Sequence, residues 1–94
     1  MSYYYENEKP WLFSDEGQRV LFSAWEKGKY LLGVAGAFNG MMLFAGDGPR
    51  AGDTFKMMAI LDRLVELKAI REVTTEVRGQ DRVFVAHNHA AACL

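Results

Sequence analysis

The sequence predicts an α+β domain in which two or three helices are followed by a C-terminal β-hairpin. Three observations carry this expectation. In DTFKMMAILDRLVELKAI, residues 53–70, Met57, Ile60, Leu61, Leu64, Val65 and Leu67 form a broad apolar face, with Lys56, Asp62, Arg63 and Glu66 largely opposite. That spacing predicts an amphipathic helix, capped by Asp53 or Thr54. Directly after it, REVTTEVRGQDRVFVAH alternates, with Val73, Thr75 and Val77 on one face and Val83 and Val85 on another. The glycine-containing RGQD at 78–81 reads as the turn of a hairpin. Third, Ser14 precedes Asp15 and Glu16. A serine N-cap with acids in the first turn predicts a helix start.

The remaining elements follow in chain order. Residues 1–13 read as an N-terminal aromatic arm, in which Tyr3, Tyr4 and Tyr5 lead to Pro10 and then to Trp11, Leu12 and Phe13, which can dock on a core. The first helix sets Val20, Leu21, Ala24 and Trp25 on one face and Arg19, Ser23, Glu26 and Lys27 on the other, with Gly28 as the expected stop. Residues 30–46, YLLGVAGAFNGMMLFAG, carry no charge. A short buried helix is expected within 31–44, with Gly33, Gly36 and Gly40 marking the close approach of another element. GDGPRAGD, 46–53, is a loop. Residues 14–87 form the domain and 88–94 a flexible tail.

Composition narrows the function. Ninety-four residues make one domain, and half of them are hydrophobic, enough for a core. The net charge of −1 lacks the basic excess usual in nucleic-acid binders. A lone Cys93 excludes an intrachain disulfide and a cysteine-only zinc site. No basic, apolar leader opens the chain, so a cytoplasmic setting is expected. The uncharged run 30–46 is short for a membrane helix and contains Asn39, so no membrane association is expected. Its glycines match neither the dinucleotide fingerprint nor the P-loop. His87 and His89 lack further ligands nearby, and Cys93 lacks a positioned base. No catalytic residue, metal or cofactor is expected, and the protein is not expected to be an enzyme. Met41, Met42, Met57 and Met58 are expected to fill an irregular core.

The helix LDRLVELKAIREV followed by the hairpin VTTEVRGQDRVFVA resembles the C-terminal half of winged helix-turn-helix domains, over about residues 54–86. The resemblance implies a winged-helix-like fold. Leu61, Leu64, Leu67 and Ile70 would bury the third helix, and 78–81 would form the wing tip. It further implies a nucleic-acid-binding module, a small transcriptional regulator, with Lys56, Arg63, Arg78 and Arg82 contacting DNA. The acidic residues interleaved with those cations support the alternative, a protein-interaction module such as an adaptor or inhibitor. Tyr3, Tyr4, Tyr5 and Trp11 would then form the interface. The partner is DNA in the first case and a protein in the second. Homodimerisation is expected under both.

Overall fold

The computed structural model describes residues 6–44, 54–73 and 82–87. Tyr3, Tyr4, Tyr5, the loop at 46–53, the turn at 78–81, His89, Cys93 and the tail lie outside the described residues. The elements are α1 (Lys9–Leu12), α2 (Asp15–Val34), β1 (Ala37–Asn39), a 3-10 turn (Gly40–Phe44), α3 (Thr54–Glu66), β2 (Ile70–Glu72) and β3 (Val83–Ala86). This is the expected α+β, winged-helix-like architecture: helices followed by a C-terminal antiparallel strand pair within a three-stranded sheet.

Ser14 caps α2 as its position predicts. Its Oγ accepts from the Gly17 N–H at 3.1 Å and donates to the Trp11 carbonyl. The helix does not stop at Gly28 but continues to Val34. Gly28 is buried inside it, and a Cβ there would lie 3.5 Å from Leu43. The stop is Gly36, whose φ of 81° lies in the left-handed region that glycine enters without a steric cost.

The segment expected to be a buried helix is therefore the end of α2, then β1, then the 3-10 turn. A buried apolar segment must satisfy its backbone polar groups, and here β3 supplies them through a sheet ladder. Phe38 pairs with Phe84, flanked by Ala37–Val85 and Asn39–Val83. Asn39 then turns the chain, its Oδ1 accepting from the Met41 N–H at 2.9 Å.

Of the three glycines expected to mark close packing, Gly40 alone does so. A Cβ there would meet Leu61 Cδ1 at 2.7 Å and Phe84 Cε1 at 2.9 Å. Gly36 is needed for its dihedral, and it has nothing within 4 Å of a built Cβ. Gly33 has neither constraint. Gly33→Ala should accordingly stabilise the protein by about 0.5–1 kcal/mol through helix propensity. A urea midpoint that moves down in this variant would contradict the assignment.

α3 ends at Glu66, four residues before Ile70. The Ala69 N–H reaches the Leu64 carbonyl, and the Lys68 N–H reaches that of Val65, both at 3.0 Å. Lys68 has φ 62°. This is a Schellman closure with lysine where glycine is usual. It turns Leu67 out to solvent and leads Ile70 into the sheet, where it is buried. The sheet order is β1-β3-β2, all antiparallel, with Ile70 opposite Ala86 and Glu72 opposite Phe84. β2 therefore starts before the alternating valines. The core lies between this sheet, α2 and α3, around Leu12, Met58, Ile60, Leu61, Leu64 and Phe84. Met57 and Met58 fill it as expected, while Met42 faces solvent.

Candidate interaction surface

The cations assigned to nucleic acid do not converge on an open surface. In α3, Met57 through Asp62 and Leu64 are all buried, so most of the helix is covered, with Phe55 and Glu66 left exposed. One cover is the segment around α1. The Lys56 ammonium sits 5.1 Å from the centre of the Trp11 ring, and the Arg63 guanidinium 5.2 Å from that of Phe13. Arg63 also pairs with Glu66 at 2.7 Å. Both cations are half-buried. Trp11, expected at an interface, is likewise half-buried and packs against the core.

The other cover is an ion triad. Arg82 was expected to be exposed on the wing, but it is only 5% exposed. Its Nη2 donates to Glu72 Oε1 at 2.8 Å and to Asp62 Oδ1 at 3.0 Å, and its Nε donates to Glu72 Oε2 at 3.0 Å. Nη1 contacts the Met58 sulfur at 3.5 Å. Burial by itself would lower the guanidinium's pKa, but the hydrogen bond to Glu72 and the two carboxylate charges outweigh it and hold it above its ordinary value. Arg82 therefore ties α3 to the two strands, and a phosphate could reach it only by breaking the triad. Arg78, the fourth cation of that set, lies outside the described residues. His87 is half-buried, and the described residues contain no group of three or more metal-ligating side chains.

The open chemistry lies elsewhere. Between α2 and the end of α3 is a groove of about 360 Å³ lined by Leu21, Phe22, Trp25, Leu64, Leu67 and Ala69. Gln18 lies at its edge, its amide donating to the Leu12 carbonyl at 2.9 Å. Among the described residues its lining is mainly apolar, which suits it to apolar matter. Phe22 is 60% exposed and Leu67 51%. Phe22 and Trp25 rings lie 6.0 Å apart, and the Lys29 ammonium sits 4.1 Å from the centre of the Trp25 ring. The helical spacing of Phe22 between Arg19 and Glu26 was the available signal: a large aromatic on an otherwise charged face. Leu67 carried no such signal, because it lies outside the core only through the turn at Lys68.

No helix among the described residues is long and apolar enough to cross a membrane. Comparison with protein-family models, curated proteins and solved structures finds no match to this chain.

Proposed function

We propose that this protein is a protein-interaction module built on a winged-helix-like scaffold, working in the cytoplasm through the α2–α3 groove. The observation that carries the reading is the contrast between two surfaces. The helix that would enter a DNA groove is occluded by Trp11, Phe13 and the Arg82 triad, whereas Phe22, Trp25 and Leu67 present a shaped apolar surface. Desolvating those side chains offers about 25 cal/mol per Å² of apolar area. Aromatic anchors beside a pocket are typical of the residues that dominate protein–protein affinity. The net charge of −1 supplies no overall basic excess to favour DNA.

The competing proposal, a DNA-binding regulator, draws on the winged-helix-like fold and on Lys56, Arg63 and Arg78. A titration of labelled random duplex DNA separates the two at about 50 mM salt, where phosphate contacts are strong. No saturable binding is expected at micromolar protein. Binding that weakens in Lys56→Ala or Arg63→Ala would replace the protein-docking proposal with the nucleic-acid one.

A further inference from the structure

We infer that the occupant of the α2–α3 groove is a second copy of this chain, docked by antiparallel pairing of α2 with its counterpart. This rests on the protein-docking reading and names the partner. Three features of α2 lead to it. First, Gln18, Phe22, Trp25, Lys29 and Leu32 recur at alternating spacings of four and three. That spacing keeps one seam of a helix facing a partner helix. The seam borders the groove, since Gln18, Phe22 and Trp25 line it. Second, α2 is 20 residues long, about 30 Å at 1.5 Å per residue. Two antiparallel copies can therefore meet over about two and a half heptads.

Third, the charges flanking the seam are self-complementary in one register only. Arg19 and Glu26 occupy equivalent flanking positions, one heptad apart. When Phe22 of each copy packs against Trp25 of the other, Arg19 of each copy comes opposite Glu26 of the other. Sliding by one heptad in one direction sets Glu26 against Glu26, and in the other direction Arg19 against Arg19. Flanking charges set orientation and register in paired helices by this rule. The opposed helix dipoles of an antiparallel pair add to it.

Arg19 and Glu26 are exposed and available for this role. Arg19 has no ion pair among the described residues, and Glu26 makes an exposed pair with Lys29 at 3.4 Å. Exposed pairs of that kind are weak and readily exchanged. In the pairing, the second copy's Phe22 and Trp25 cover this copy's groove and bring Leu67 out of water. A contact of this kind is expected at the small end of specific interfaces, and micromolar association is the expectation tested.

Sedimentation equilibrium of the full chain tests it, over about 1–100 µM, the range that brackets micromolar association. The wild type is expected to move from monomer to dimer. Glu26→Arg or Arg19→Glu alone should weaken dimerisation at least about tenfold, because two cross-pairs become two repulsions. The double variant Arg19→Glu, Glu26→Arg restores the pairs in reversed sense and should recover the dimer. Both residues lie on the exposed face of α2, so the variants keep the fold, and far-UV circular dichroism verifies this.

A wild type that stays monomeric, a dimer indifferent to the single changes, or a double variant that fails to recover would each overturn the second-copy assignment. The underlying reading fails differently, by DNA binding through Lys56 and Arg63. A monomer that binds no DNA removes the second copy and leaves protein docking standing.

Discussion

Arg82→Met is expected to lower the unfolding free energy by about 3–5 kcal/mol, the usual result of removing one partner from a buried ion pair. Methionine matches the stem's bulk but removes the guanidinium from which Asp62 and Glu72 both accept hydrogen bonds. Asp62 is only 7% exposed, so water cannot replace the lost donors at little cost. A domain of this size holds roughly 5–15 kcal/mol in total, so the variant should sit near the edge of folding. The contribution is one of specificity as much as of net stability, because desolvating three charges offsets most of their attraction. Replacing all three residues with apolar ones of similar volume should therefore cost less than Arg82→Met alone. Urea unfolding followed by circular dichroism decides it. A loss below about 1 kcal/mol would mean that the triad is screened like a surface pair.

The second large effect concerns Gly17, in the first turn of α2. Helix propensity alone says that Gly17→Ala should stabilise by about 1 kcal/mol. The packing predicts the opposite sign. A Cβ at Gly17 would lie 2.1 Å from the Trp11 carbonyl oxygen and 2.5 Å from that of Leu12. Both are backbone atoms and cannot swing aside as a side-chain tip can. The turn 11–14 must shift, with its hydrogen bonds from Ser14 and Gln18, and it carries Leu12, which is 0% exposed in the core. Partial withdrawal of a buried leucine costs about 2–5 kcal/mol at its limit, so a net loss of about 2 kcal/mol or more is expected. A more stable Gly17→Ala variant would show that α1 is not held as described. The same change should disturb Trp11 and release Lys56 and Arg63, which stack on Trp11 and Phe13.

These two residues mark where sequence reasoning reached and where it stopped. Ser14 is legible because capping is local: serine, two acids and an apolar stripe fall within one turn. The strand pair is legible only in part, because Val83 and Val85 mark β3 while β2 falls on Ile70–Glu72, ahead of the alternating Val73, Thr75 and Val77. The architecture follows from joining those pieces, and it holds. β1 is not legible. Ala37–Asn39 sits inside an apolar run without alternation, and only the presence of β3 makes it a strand. Gly28 misleads for a related reason, since a glycine inside a helix and one that ends it look alike until Leu43 is seen against it.

The spacing of Leu67 and Ile70 extends the expected helix past its real end at Glu66, because the turn depends on Lys68 adopting a left-handed conformation that its side chain does not favour. Arg82 shows the limit most clearly. From the sequence it is an arginine on a wing among acids. Its burial depends on Asp62, an acid set among the apolar residues of α3, and on Glu72 in the neighbouring strand. That long-range pairing removes it from any surface. Phe22, by contrast, was readable as an aromatic on a charged face, and it identifies the groove that the cations did not.

The central claim is that this scaffold associates through the α2–α3 groove while α3 stays covered. The most direct test compares amide shifts of isotopically labelled wild-type protein between dilute and concentrated samples. The account predicts concentration-dependent changes on Gln18, Phe22, Trp25 and Lys29 and on residues 64–69, with Lys56 and its neighbours unchanged. Spectra that do not depend on concentration, or changes gathered on residues 55–63, would contradict it.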